Sequence, residues 1–396
     1  MTALTLPRRG LARLRPARVP LAWRNLVADK WRLARASAGI AFAVLLMLVQ
    51  LGFEQSFFTA SLAAVEQLNG DLVVQNASKY RFGTRNPFAP KDFETIKTVA
   101  GIATAAPLYA DWVDFFWTSP VDNKPHLVRV FAVDPDAPAV FSIPGIADQQ
   151  TRLKTDDSVL IDSESRRFLG MNRNVTEAKL NGVSVHVAGK FSLGPDFMSD
   201  GTVVMSDRTF AYFFRTTPAA MPIEAAVIRL QPNQNAAEVQ KRLTAALPGT
   251  LKVFTKAELV QFESNFQAKL SSAAPIFWLG ALVGFVVGTL ISYQIMYTEL
   301  SDRMPQYATL KGIGYENGYL AGSVLRQSLL TGIAGYVPAW LLCLAVYRVV
   351  GHIALLPLHM TWRVTLLSLA LTLGMCLLAG MIALRRVIAA DPAEIF

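Results

Sequence analysis

Four uncharged apolar runs, unevenly spaced, constrain this chain more than any other feature. Ala36–Phe53, Leu270–Thr298, Gln327–Tyr347 and Val364–Leu384 contain no Asp, Glu, Lys or Arg, and each has at least 18 residues. A helix of that length crosses about 30 Å of hydrocarbon. More than 200 mostly polar residues separate the first two runs, whereas the last three follow closely on one another. The pattern predicts an integral membrane protein with one large soluble domain between spans 1 and 2.

Charge sets the expected orientation. The N-terminal tail carries Arg8, Arg9, Arg13, Arg15, Arg18, Arg24, Lys30, Arg32 and Arg35 against one acid, Asp29. Short segments rich in Lys and Arg stay in the cytoplasm, and the first span usually dominates. Arg385 and Arg386 follow span 4, and Arg303, Lys311 and Arg326 lie between spans 2 and 3. The large domain is therefore expected outside, with both termini in the cytoplasm of a bacterial inner membrane. A cleaved signal peptide is the rival reading of the first run, with Ser61-Leu62-Ala63 as its weak cleavage site. The long basic leader and the long apolar run favour a retained span.

Residues 59–270 hold 22 basic and 22 acidic side chains, so the net charge of +9 belongs to the span flanks and cytoplasmic segments. Such charge faces anionic lipid, and nucleic acid is not an expected partner. Both cysteines, Cys343 and Cys376, lie inside spans. The outer domain must then be held by an ordinary core, for which 200 residues suffice.

Residues 21–35 (LAWRNLVADKWRLAR) segregate Trp23, Leu26, Val27, Trp31 and Leu33 from Arg24, Asn25, Asp29, Arg32 and Arg35. That is an amphipathic helix lying in the membrane interface. Glu54–Leu68 and Lys256–Leu270 lack Gly and Pro and repeat apolar residues at three and four, which predicts stalk helices at both ends of the domain. Between them lie strand patterns at His126–Val133, Val183–Val187 and Thr202–Met205. Asn69-Gly70, Asn181-Gly182 and Asp200-Gly201 are turn signals. Ala225–Leu230, the helical Asn235–Leu247 and Leu251–Phe254 form a βαβ-like unit, and Asp92–Val99 is a matching helix nearer the start. The fold class expected is membrane α+β: four transmembrane helices and a large stalked extracytoplasmic α+β domain. The boundaries are 1–35 tail and elbow helix, 36–58 span 1, 59–270 outer domain with stalk helices and 271–298 span 2. Then come 299–320 cytoplasmic loop, 321–347 span 3, 348–363 short outer loop, 364–384 span 4 and 385–396 C-terminus.

No catalytic constellation is visible. His126, His186, His352 and His359 lack metal-ligand spacing, and G-x-S-x-G is absent. Gly189-Lys190 is followed by Phe191 without the upstream glycine spacing, so there is no P-loop. No catalytic, metal or cofactor residue is expected. The spans hold no ionisable group of the kind that ion-driven carriers keep near the midplane. Energy for transport would come from a partner chain.

The strongest local signal is Tyr293–Tyr315, YQIMYTELSDRMPQYATLKGIGY. Glu299 and Arg303 stand i,i+4 for a helical ion pair, Pro305 ends or kinks that helix, and Gly312 and Gly314 break the chain beyond it. The reading is a short helix held out from the membrane, suited to a groove on a cytoplasmic protein. Two apolar stretches of the outer domain are candidates for contact with cargo or an adaptor. Trp112 and Trp117 lie in DWVDFFW, and Phe197 and Met198 lie in a turn-rich loop bounded by Gly194-Pro195 and Asp200-Gly201. For the tryptophans core packing is the competing reading.

Tyr293–Tyr315 resembles the coupling region of FtsX/MacB-type ABC permeases, whose typical form is an acidic-basic helix followed by ATLKAMGY. The closing Ala389–Phe396 (AADPAEIF) is similar to that superfamily's C-terminal signature. Arg24-Asn25-Leu26, Asp71–Asn76 (DLVVQN) and Phe191–Gly201 (FSLGPDFMSDG) extend the likeness, which is greatest to the DevC branch, permeases of a glycolipid-type exporter. The arginine-rich leader before Pro20 departs from that pattern. The resemblance implies a MacB-like periplasmic domain and a homodimer served by a separate cytoplasmic ABC ATPase. It also implies a membrane-fusion-type adaptor and an outer-membrane channel. ATPase coupling would then fall to Glu299, Asp302, Arg303, Pro305, Tyr307, Lys311, Gly312 and Gly314. Cargo would be pushed by the outer domain rather than passed between the spans. An FtsX-like signalling subunit that controls a cell-wall hydrolase is the alternative, and a membrane-tethered enzyme is a third class.

Overall fold

The computed structural model describes residues 30–269, 273–313, 315 and 317–389. The amphipathic segment 21–29, Gly314 and the C-terminal motif beyond Ala389 lie outside the described residues. The described chain forms two compact units. One contains 283–340 with the described parts of 1–45 and 367–396, and the other contains 46–282 with 341–366.

Among the described residues, four helices have the length and apolarity to cross a membrane. They are α1 (Lys30–Glu66), α6 (Ala273–Asp302), α8 (Asn317–Ala354) and α9 (Trp362–Ala389). At 37 residues, α1 is about 55 Å long. About 25 Å of it therefore lies outside the hydrocarbon, divided between the six residues before Ala36 and the stretch that leads to Glu66. In the first unit, Gly288 on α6 lies so close to Met375 and Ala43 that a side chain there would overlap Met375. Small residues let helices in lipid approach closely, where dispersion replaces the missing hydrophobic drive. In the second unit Gly52 leaves room for Tyr347, whose hydroxyl donates to the Leu48 carbonyl.

The domain between α1 and α6 is built on an eleven-stranded mixed sheet. Its strands are β1 (Leu72–Asn76), β2 (Ile102–Asp111), β3 (Phe116–Thr118), β4 (Pro125–Leu127), β5 (Arg129–Val133) and β6 (Ser158–Asp162). They continue with β7 (Glu177–Leu180), β8 (Val183–Phe191), β9 (Thr202–Ser206), β10 (Ala225–Leu230) and β11 (Leu251–Thr255). Their order is β11-β1-β10-β2-β5-β9-β6-β8-β7-β3-β4. Only β5–β9 and β6–β8 pair in parallel.

The first four strands in that order form two interleaved units. β1, helix α2 (Pro90–Thr98) and β2 make one; β10, helix α4 (Ala236–Ala246) and β11 make the other. Each pair of strands is parallel across one antiparallel intruder, which is a split βαβ arrangement. The expected βαβ unit is thus present with β1 inserted between its strands, and Asn235 caps α4 by accepting from the Ala237 amide at 2.9 Å. Residues 112–224, between β2 and β10, supply the other seven strands and the short helix α3 (Asp207–Phe213).

Alternation along β1 sends Leu72 and Val74 to one face, where they join Phe93 and Ile96 of α2 and Val239 and Leu243 of α4. Val73 goes to the other face with Val65 and Leu68 at the root of α1, and with Leu259 of α5 (Lys256–Lys269). A strand buried on both faces reads as a continuous apolar run, which is why LVV lacks visible alternation. Both α1 and α5 therefore root on neighbouring strands at one end of the sheet, β1 after α1 and β11 before α5.

Candidate coupling segment and membrane-proximal loop

Between α6 and α8 stands a nine-residue helix, α7 (Met304–Gly312). Glu299 and Asp302 belong to the last turns of α6, so the acidic-basic stretch is the end of a span helix rather than a separate short helix. Pro305 falls in the first turn of α7, where its missing N–H costs no intrahelical bond. Arg303 lies at the joint between the helices, with Nη2 3.6 Å from Glu299 Oε1. Gly312 ends α7, and the side chain of Lys311 is outside the described residues.

One side of α7 is buried. Tyr307 shares an apolar cluster with Met296 and Leu300 of α6, Leu320 and Val324 of α8, and Ala383 and Leu384 of α9. Burial pushes the Tyr307 phenol up, against the opposing charge of Arg303. The other side presents Pro305, Gln306 and Thr309 to solvent, followed by Ile313 at 71% exposure. A nine-residue helix is too short to hold itself in water. Tyr307 therefore ties its exposed face to the ends of three spans.

In the second unit, the loop from Ser192 to Gly201 is held from inside by three buried side chains. Asp162, at the end of β6, accepts the amides of Glu164 (3.0 Å), Leu193 (3.1 Å) and Gly194 (2.9 Å). Burial raises its carboxyl above the usual range despite those donors. Asp196 accepts from the Met198 and Ser199 amides at 2.7 and 2.6 Å and pairs with Arg129 Nη1 at 2.7 Å. Arg129 also donates to Thr202 Oγ1 through Nε (3.2 Å) and Nη2 (2.8 Å). So fixed, the loop sets Phe197 edge-on to Phe57 of α1 with centroids 5.1 Å apart, while Met198 stays 63% exposed.

Met198 and Trp112 meet at a cavity of about 110 Å³ beside α1 and α5. Trp112 is half-buried, its ring edge-on to Phe82 and Phe131. Trp117 is a correction. It is 0% exposed, and its indole Nε1 donates to the Leu169 carbonyl at 3.0 Å, so it is core and unavailable to cargo or adaptor. Its neighbour Phe116 points to the other face and is exposed.

The sequence reading did not find Arg129, Asp162 or Glu263. Glu263 of α5 lines the same cavity, accepting the Phe82 amide at 2.7 Å and a weak bond from Gln267 at 3.4 Å. Burial raises the Glu263 carboxyl above its ordinary 4.5, with Phe82, Gln267 and Arg81 opposing. The folded chain thus holds that proton more tightly than the unfolded chain. Its stabilising effect is complete below about pH 4.5 and is lost as pH rises through the folded value. Glu263→Gln is expected to raise the thermal midpoint of the detergent-solubilised chain near pH 8, with the gap to wild type closing toward pH 5. A gap that is constant or widens on acidification would contradict this assignment.

Among the described residues, no group of three His, Cys, Asp or Glu side chains is placed to hold a metal ion.

Two family models match the chain. The model of the MacB-like periplasmic core domain matches residues 36–246, and that of the FtsX-like permease C-terminal domain matches residues 278–392. The chain belongs to the FtsX/MacB-type family of ABC transporter permeases. It is a multi-pass inner-membrane protein, and membership implies a partner ATPase chain. Uncharacterized ABC transporter permeases of Mycobacterium bovis and of Mycobacterium tuberculosis are each 23% identical over 373 residues, covering 93% of this chain and 97% of theirs. Among solved structures, the periplasmic region of MacB from Actinobacillus actinomycetemcomitans is similar at 12% identity and a TM-score of 0.36. It covers 50% of this chain and 95% of that one. The extracellular domain of the ABC-type transporter YknZ from Gram-positive bacteria is similar at 10% identity and 0.34, covering 47% and 100%.

Proposed function

We propose that this chain is the permease of a DevC-like exporter, with its termini and α7 in the cytoplasm and its large domain outside. The observation that carries the reading is α7. It is a short helix with a solvent-facing surface at Pro305, Gln306 and Thr309, and its buried Tyr307 is packed with the ends of three spans. A separate ATPase binds that surface, and closure of the ATPase pair on ATP displaces α7 together with α6. Glu299, Asp302 and Arg303 form the joint. Lys311, Gly312 and Gly314 complete the segment. The chain acts as a homodimer, and its outer domain moves a glycolipid-like or other hydrophobic cargo through a membrane-fusion-type adaptor and an outer-membrane channel. Trp112, Phe197 and Met198 are its candidate contacts. The chain itself carries out no catalysis.

The deciding experiment is gentle solubilisation of the C-terminally tagged chain from its host, with identification of the proteins that co-purify. An ATPase with a membrane-fusion adaptor is the expected result. An ATPase with a cell-wall hydrolase and no adaptor would replace export by FtsX-like signalling.

A further inference from the structure

A second and larger cleft, about 400 Å³, is lined by Leu193, Gly194 and Pro195 of the 192–201 loop and does not include Met198. Its volume is that of a small-molecule site. The floor is apolar, made by Ala60 of α1, Leu193 and Pro195 of the loop, and Leu356 after α8. The rim is polar, with exposed Glu164 and His359. Glu164 accepts from the Ser192 hydroxyl, which steadies it against the loop.

Depth comes from the sequence of α1. Trp278 Nε1 donates to Glu54 Oε1 at 2.7 Å, marking the level where the apolar run ends and an interfacial indole sits. Ala60 is six residues farther on, or about 9 Å along the helix. The cleft therefore opens at and just above headgroup level. An apolar floor at that height matches an acyl chain lifted out of the leaflet, since a soluble polar ligand gains nothing from it. Charge narrows the head. The lining residues include one carboxylate and one imidazole and no Lys or Arg, so a phosphate or carboxylate head finds no fixed cation among them. A head that donates hydrogen bonds does find acceptors.

We infer that this cleft binds an outer-leaflet lipid whose head bears hydroxyl or amine donors, directed at Glu164, with its chain over Ala60, Leu193 and Leu356. The assignment takes its orientation from the exporter reading and names the cargo class and entry point for it. A lipid held here sits beside the loop whose Phe197 packs on α1, so filling the cleft and moving α1 act on the same segment.

The test places the photoreactive residue p-benzoylphenylalanine at Leu356 of the full chain in its host membrane and identifies lipid adducts by mass spectrometry. The expected adducts are enriched about fivefold in donor-headed lipids over their membrane share, the factor one net hydrogen bond supplies. The same probe at Leu366, exposed on α9, should capture lipids in membrane proportion. Glu164→Lys should shift capture toward phosphate-rich anionic heads, and Ala60→Phe should suppress it. Adducts at Leu356 in membrane proportion, or enrichment indifferent to Glu164→Lys, would overturn the proposal. Lipid capture needs no nucleotide. Unselective capture in a chain that still purifies with its ATPase and adaptor removes the cleft and leaves export standing. Selective capture without those partners does the reverse.

Discussion

Tyr307→Ala is expected to leave the ATPase bound and hydrolysing while the outer domain no longer responds to nucleotide. The ring is the largest side chain of α7 in the cluster with Met296, Leu300, Leu320, Val324, Ala383 and Leu384. Truncating a buried aromatic costs about 3–5 kcal/mol. For a nine-residue helix with no stability of its own, that is enough to release it. Pro305, Gln306 and Thr309 are unchanged, and a groove on the ATPase can order the freed segment on binding, so docking persists while transmission fails. Tyr307→Phe keeps the ring and should behave as wild type. Limited proteolysis of the reconstituted complex with and without ATP reads the outcome. Wild type and Tyr307→Phe should show a nucleotide-dependent cleavage pattern, and Tyr307→Ala should not. A normal ATP response in Tyr307→Ala would sink the coupling role of α7.

The second large effect is on stability. Arg129→Ala removes the guanidinium that satisfies Asp196 and Thr202 and lies 5.2 Å from the Phe131 ring centroid. Asp196 would remain almost enclosed, with a carboxylate and no cation. Breaking a buried pair from one side costs about 3–5 kcal/mol, a large share of the 5–15 kcal/mol that holds a typical domain. For a domain of this size that corresponds to a fall of about 10 °C in the thermal midpoint. The loop from Ser192 to Gly201 should become the first site of proteolysis, and Phe197 should lose its place on Phe57. Arg129→Lys, which keeps charge but not the fork that spans Asp196 and Thr202, should fall between the two. A shift below about 2 °C for Arg129→Ala would mean that the loop is held by its backbone bonds alone.

The spans were legible because lipid demands a long uncharged run, and that demand is local in sequence. The helix α4 and the strands around it were legible for the same reason, since period and cap lie within a dozen residues. Turn signals were less uniform. Asn181-Gly182 is a true hairpin turn, with φ of 49° and 79° joining β7 to β8. Gly70 and Gly201 instead permit close approach, to Val227 and to Ser165, and no dipeptide rule separates the two uses. His126–Val133 read as one strand but is broken at Val128 into β4 and β5, which pair with different neighbours. The buried charges were beyond reach because Arg129 and Asp196 are 67 residues apart. In linear sequence each reads as an ordinary surface charge. Trp117 differs from its exposed neighbour Phe116 only by strand parity, which becomes visible once the register Trp117↔Leu180 is known.

Both ends of the strand order come back to α1. β4 and β11 stand ten strand intervals apart in that order, about 48 Å if the sheet were flat, yet Leu127 of β4 lines the same cavity as Ser61, Ala64 and Val65 of α1. Val65 also packs with Val73 of β1. The sheet therefore curls, as sheets of more than about ten strands tend to do. An edge strand brought in beside a helix is a poor template for pairing with another chain.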